Sequence, residues 1–334
     1  MSIAAIGGAL PSSTVAQDAT ARADNETRSA IPKRSLGRTG VEVSIIGVGG
    51  ADIGKYKNEQ EAIRIVQEAI DAGINFMDNA WEYNEGKSEE YMGKALQGRR
   101  DKVFLMTKVC THGRDKQTAM KQLEDSLRRL KTDRVDLWQV HECVYYNDPE
   151  RHFEKGGVIE ALTEAKRAGK VRFVGFTGHK DPSIHLKMLS YNYPFDACQH
   201  PVNPFDYSFN SFERQVMPEL QKRGIASIGM KSLGGGGEAL KKEAITIEEA
   251  LRYAMSLPVA TLVSGMPTLG ILQQNLAIAR NFKAMTAAEM QALRARCAPV
   301  AADGRFELYK TSKKYDANEG RMQHGFPKKE EVDV

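Results

Sequence analysis

Asp78, Tyr83, Lys108 and His141 bring together an acid, a phenol, an amine and an imidazole. Three of them close apolar runs of strand length: "NFMDNA" at 75–80, "VFLMTKV" at 103–109 and "VDLWQVH" at 135–141. The spacings are 30 and 33 residues, each one strand plus one helix. Side chains alternate along a strand. If Phe76, Met106 and Gln139 point inward, then Asp78, Lys108 and His141 share that face on neighbouring strands about 5 Å apart. Tyr83 follows on the loop after the first of these runs and can fold over the same rim.

The chemistry follows from the residue types. A buried carboxylate needs a partner, and an ammonium supplies it. A phenol is a poor proton donor at neutral pH, with an ordinary pKa of about 10, and a nearby ammonium favours its ionised form. An imidazole alongside can orient a carbonyl and donate to its oxygen. The set is a proton donor with an oxyanion site, and it lacks a reductant or nucleophile, which a cofactor must supply. Taken singly, each residue also has a bland reading: Asp78 with Lys108 as a structural ion pair, His141 as a hydrogen-bonded core residue. Four such groups on one rim weigh against it.

The elements that must position them are regular. From about Pro32, "RSLGRTGVEVSII" reads as a hairpin around Arg38-Thr39-Gly40. Strand-length runs then alternate with amphipathic helical runs. The strands are expected at 45–50, 75–80, 103–109, 135–141, 171–178, 196–201, 226–232 and 260–266, with a helix after each. A further helix, "TAAEMQALRARC", and a polar tail from about Lys310 close the chain. Eight β–α pairs in about 235 residues predict a (β/α)8 TIM barrel with its site at the C-terminal strand ends. An open doubly wound sheet is the alternative, but no G-x-G-x-x-G follows the first strand. The expected organisation is a tail or export remnant over 1–30, the barrel over 31–310, and a polar tail over 311–334 that can cover the active site.

Composition excludes several classes. The 334 residues are 41% hydrophobic and 27% charged, with a formal net charge of +4. No basic stripe marks a nucleic-acid binder. Cys110, Cys143, Cys198 and Cys297 form no C-x-x-C pair, so no metal site is expected and each is read as a small buried hydrophobe. No apolar run approaches the ~18 residues of a membrane span. "IAAIGGALPSSTVAQDATA" at 3–21 has an apolar stretch and an A-x-A site without a basic start. It reads as a disordered tail of a cytoplasmic protein, or as the end of a twin-arginine export signal whose start lies upstream.

"GINFMDNAWEY", "LMTKV" and "VDLWQVH" together resemble the aldo-keto reductases, and the resemblance runs from about Arg34 to Phe282. It implies a barrel whose bottom is plugged by the opening hairpin, and a catalytic tetrad of Asp78, Tyr83, Lys108 and His141. Tyr83 would be the general acid in carbonyl reduction and the base in alcohol oxidation. Lys108, held by Asp78, would lower the Tyr83 pKa, and His141 would orient the carbonyl. Hydride would pass from the nicotinamide of NADP(H) or NAD(H), lying extended across the barrel mouth. Thr177 and Gly178 in "GFTGH" replace the family's Ser-Asn pair at the carboxamide, and Gln199 matches its second carboxamide contact. Met230 stands where the family often has an aromatic ring, and Lys231, Ser232, Leu233 and Gly234 resemble its pyrophosphate loop. "SGMPTLGILQQN" resembles the adenosine-binding segment and nominates Ser264, Gly265, Met266, Gln274 and Asn275. Many members place a basic residue four positions before the asparagine to hold the 2′-phosphate of NADP. Ile271 stands there, with no Lys or Arg between Ser264 and Asn275, and leaves both cofactors open. Arg280 is a further candidate for the phosphate, and His179 and His200 for the pocket wall.

The expected function is reversible reduction of a small-molecule carbonyl substrate. The alternatives are a non-catalytic nicotinamide-binding regulatory subunit and a barrel lyase using Lys108 for a Schiff base. Substrate identity and oligomeric state are not legible.

Overall fold

Eight parallel strands hydrogen-bond in a closed ring in this computed structural model, which describes residues 30–110 and 115–332. The expectation for residues 1–29 lies outside the described residues, and the described residues from Ile31 onward form one compact unit. A short antiparallel pair, β1 (Lys33–Ser35) and β2 (Glu42–Ser44), opens the described chain. The barrel strands are β3 (Ile46–Gly49), β4 (Phe76–Met77), β5 (Phe104–Val109), β6 (Val135–Val140), β7 (Val171–Thr177), β8 (Ala197–Pro201), β9 (Ala226–Met230) and β10 (Thr261–Gly265). The ring closes where β10 pairs with β3, Leu262 opposite Ile46 and Gly265 opposite Gly49.

Every one of the eight strand runs becomes a strand, each shortened by at least one residue. β4 is cut furthest, to two residues. Asp78 N still donates to Val48 O (2.9 Å), but the chain then leaves the sheet, and Trp81 N donates to Lys108 O (3.1 Å). The strand ends because the loop that carries the acid and the phenol begins there.

Two apolar layers hold the barrel. Inside it, Phe76, Phe104, Met106, Leu137 and Ile228 pack with Leu36 and Val43 of the hairpin, which therefore fills the bottom. Arg34 ties the hairpin down by donating to the carbonyls of Met255 (2.7 Å), Leu257 (3.2 Å) and Val259 (2.8 Å). Outside, alternate residues such as Met77, Leu105, Trp138 and Phe176 meet the apolar faces of the helices. Strands buried on both faces are what a parallel barrel requires. The helices start on side-chain caps: Asp115 accepts from Thr118 N (2.7 Å), and Thr246 with Glu249 forms a capping box.

The run "FERQVMPELQKRG" folds as two short helices, Phe212–Gln215 and Met217–Arg223, because Pro218 has no N–H to continue the first. The four cysteines are free and buried. Among the described residues no helix is long and apolar enough to cross a membrane.

Beyond the helix Ala287–Ala301, residues 306–332 pack on the barrel through buried polar anchors. Lys310 Nζ donates to Asp206 Oδ1 (2.7 Å), Phe209 O (2.7 Å) and Glu307 Oε2 (3.0 Å), and all three ionic side chains are sealed from water. Removing one member of such a cluster leaves the others charged and unanswered. Lys310→Met keeps the stem but deletes the ammonium; it is expected to lower unfolding stability by about 3–5 kcal/mol in a denaturant titration.

Candidate active site

The polar residues at the strand ends converge because their strands are neighbours in register. Lys108 lies opposite Gln139 on β5 and β6, and the inward face continues through Met106, whose sulfur accepts from Gln139 Nε2 (2.8 Å). Gln139 Nε2 also donates to Gln199 Oε1 (3.2 Å) on β8. Asp78 and His141 stand one residue past the ends of β4 and β6.

Lys108 is the hub. Its ammonium donates to Asp78 Oδ1 (2.6 Å), to Asn79 O (2.7 Å) and to Tyr83 Oη (3.2 Å). The Lys108 and Asp78 side chains are 1% and 4% exposed. The second Asp78 oxygen accepts from Gly50 N (3.4 Å). Tyr83 is half-buried on a tight loop, and its ring meets His141 edge-on at 5.7 Å. Asn84, Glu85 and Gly86 all have positive φ and turn the chain sharply behind it.

The resemblance implies that Lys108 lowers the Tyr83 pKa; the phenol's net shift is upward, well above its ordinary value near 10. Burial is the largest cause, followed by the charges of Asp78, Glu82, Glu142 and Asp52. The Lys108 charge is answered more closely by Asp78 and the Asn79 carbonyl than by the phenol. Tyr83 therefore stays protonated and able to donate.

Glu82 and Glu142 were not nominated from sequence. Glu82 Oε1 meets His141 Nδ1, and both side chains are buried. Glu142 is the residue after His141 and has a left-handed backbone, φ 69°. Its carboxylate accepts from Ala317 N (2.9 Å) and pairs with His179 Nε2 (2.9 Å). Burial, with the Lys231 charge, lowers the pKa of His179, while Glu142 opposes the shift. Acids next to Tyr83 and His141 were the available signal, but nothing in the pattern shows which way such side chains turn.

A groove of about 460 Å³ opens beside this cluster. Its lining includes Asp78, Tyr83, Gln199 and Met230, with Lys231, Ser232, Leu233, Ser264, Gly265, Gln274 and Asn275. Asn275 Nδ2 donates to Ser264 Oγ (3.2 Å). Asp52, Lys55 and Gly235–Gly237 also line it and were missed. Lys231 has φ 59°, and its ammonium lies 5.1 Å and 6.0 Å from the ring centres of Tyr309 and Tyr315. Burial lowers its pKa, with Glu142 opposing and Lys108 adding to the effect.

Four residues nominated in the cofactor motifs, and Lys108 and His141 of the tetrad, are not among those lining the groove. Thr177 is buried, and its carbonyl accepts from Cys143 N (2.8 Å). Gly178 packs so closely that a Cβ would lie 2.2 Å from Cys143 O. Gly234, with φ 76°, turns the loop, and a Cβ there would lie 2.5 Å from Phe306 O. Met266 is buried, and its carbonyl accepts from Tyr56 Oη (3.2 Å). Arg280 donates to Ala72 O (3.2 Å), away from the groove, and His200 is a core residue bonded to Ser227 Oγ (2.8 Å).

A closed parallel barrel with this cluster at the C-terminal strand ends is the frame of an oxidoreductase of one particular family. The chain belongs to the Aldo/keto reductase family, whose family model matches residues 45–249. The oxidoreductase YqkF of Bacillus subtilis is 26% identical over 300 residues, covering 78% of this chain and 95% of that protein. The aldo-keto reductase of Bacillus halodurans in its holo form is similar with a TM-score of 0.68 and 26% identity, over 80% of this chain and 96% of the other. An aldo-keto reductase of Klebsiella pneumoniae in complex with NADPH is similar with a TM-score of 0.66 over 80% of this chain and 95% of the other; at 20% identity it speaks for the fold alone.

Proposed function

We propose that this oxidoreductase reduces aldehydes or ketones to alcohols, with Tyr83 as the proton donor, Lys108 and Asp78 as its support and His141 as the carbonyl's second partner. The observation that carries the reading is the Lys108 ammonium, 2.6 Å from Asp78 and 3.2 Å from the Tyr83 hydroxyl, beside the groove that both of these residues line.

The groove fits a nicotinamide dinucleotide. Gln199 offers an amide, the glycines at 235–237 bring a wall without side chains, and Gln274 and Asn275 offer further polar groups. Backbone amides of a glycine-rich turn suit an anion. A nicotinamide cofactor held there would supply hydride for the carbonyl carbon. Tyr83 gives its phenolic proton to the carbonyl oxygen, and the alcohol results. Lys108 then lies beside the phenolate left behind and stabilises it. Residues 306–332 close the substrate side of the mouth, where Tyr309 and Tyr315 cover Lys231 and Ala317 holds Glu142.

Tyr83→Phe removes the proton and keeps the ring. Turnover on a panel of aldehydes and ketones is expected to fall by about 10²-fold or more, while fluorescence titration with the cofactor stays unchanged. Full activity in this variant would refute the assignment.

At the adenosine end the wall carries Ile271 beside Gln274 and Asn275. Lys55 also reaches the groove, but its ammonium pairs with Asp52 Oδ1 (2.8 Å). We infer acceptance of NADH at least equal to that of NADPH. Ile271→Arg is expected to tighten NADPH binding roughly tenfold and leave NADH unchanged, a charged hydrogen bond being worth about 1.5–3 kcal/mol. Equal effects on both cofactors would show that position 271 does not meet the 2′-phosphate.

A further inference from the structure

The loop that carries Tyr83 also brings Glu82 to the site. Glu82 Oε1 meets His141 Nδ1, and the two side chains are 7% and 11% exposed. Glu82 Oε2 is buried too, with no hydrogen-bond partner among the described residues. Among the described residues the imidazole is the one group that answers this carboxylate.

The protons on the ring then decide what His141 can do. A bond from Nδ1 to a carboxylate needs the proton on Nδ1. A neutral imidazole has one proton, so its Nε2 is then a lone pair that cannot donate. A carbonyl oxygen is an acceptor and needs a donor. Only the cationic ring carries N–H on both sides.

We propose that Glu82 is a positioning residue that keeps a proton on His141 Nδ1, so that His141 donates to the substrate carbonyl from Nε2 only as an imidazolium. The inference rests on the carbonyl-reductase reading above.

Among the described residues, the charged groups around the ring leave Glu82 as its direct partner. Tyr83 comes from the same loop, edge-on to the ring. Asp78 and Lys108, from the ends of β4 and β5, answer each other. Glu142, the next residue along, is engaged by His179 and Ala317. Lys231, from the loop after β9, is turned to the rings of Tyr309 and Tyr315. Asp52, on the segment after β3, pairs with Lys55. Tyr83 stays protonated to well above pH 10, so it adds no ionisation near neutrality. On this proposal carbonyl reduction falls with rising pH as the His141 imidazolium is lost.

Two measurements test this. In ¹⁵N-histidine-labelled wild-type protein, long-range ¹H–¹⁵N spectra followed through pH show which ring nitrogen of His141 loses its proton. Loss from Nε2, with Nδ1 keeping its N–H, is expected. A neutral ring with bare Nδ1 overturns the proposal, because Glu82 would then be the protonated partner. The second measurement is the pH profile of kcat/KM for carbonyl reduction. In Glu82→Gln the side-chain amide can donate to Nδ1 and leave N–H on Nε2 of a neutral ring. The falling limb should flatten, and kcat at low pH should drop about tenfold as a charge-assisted bond becomes a neutral one. Glu82→Asp should restore the limb. A Glu82→Gln profile identical to wild type overturns the proposal. Absence of carbonyl turnover in the wild type would sink the reductase reading instead, and the ring spectra would still decide the Glu82 assignment.

Discussion

A lysine ammonium held 2.6 Å from a carboxylate, in a barrel mouth where neither side chain meets water, is the interaction on which this site depends. Neither group could be buried alone, since an unpaired charge there costs several kcal/mol. Paired, they form a fixed point with one donor hydrogen still available, and it is directed at the Tyr83 hydroxyl. The Asn79 carbonyl is the third acceptor, so the loop after β4 must leave the sheet at once, and β4 is the shortest strand of the barrel for that reason.

The surroundings then set the state of the phenol. Burial and four carboxylates outweigh the one ammonium, and Tyr83 remains a neutral acid. For a group whose task is to give a proton to a developing alkoxide this is a workable state, because the ammonium acts after transfer, on the phenolate. The neighbouring pairs extend the same logic outward. Glu82 meets His141, and Glu142 meets His179 and the backbone of Ala317, so the far C-terminal segment is tied to the residue next to His141.

Much of this was legible in the sequence because periodicity reports on burial. Strands buried on both faces appear as continuous apolar runs, and a polar residue closing such a run, as Lys108 does, stands out. Repeats of about 30 residues by themselves put Asp78, Lys108 and His141 on one rim. What was not legible depends on how loops turn. Glu82 and Glu142 sit beside recognised residues, yet their direction follows from local φ values such as the 69° of Glu142. Gly178 looked like a cofactor contact and instead allows close packing against Cys143. The segment from Lys310 onward reads as polar in composition, but Lys310 itself is buried because Asp206 lies nearby in space and 104 residues away in sequence. The direction of the Tyr83 shift was missed for a similar reason: an adjacent lysine is visible in a motif, but the sum of four acids is visible only in three dimensions.

The measurement that bears most directly on this account is a double-mutant cycle on kcat/KM for carbonyl reduction, joining Lys108→Met with Tyr83→Phe. If Lys108 acts through the Tyr83 hydroxyl, the double variant should lose no more than about the larger single loss, because residues that act as one unit are strongly non-additive. If the two losses multiply, Lys108 and Tyr83 work independently, and the ion pair is not the support of the proton donor.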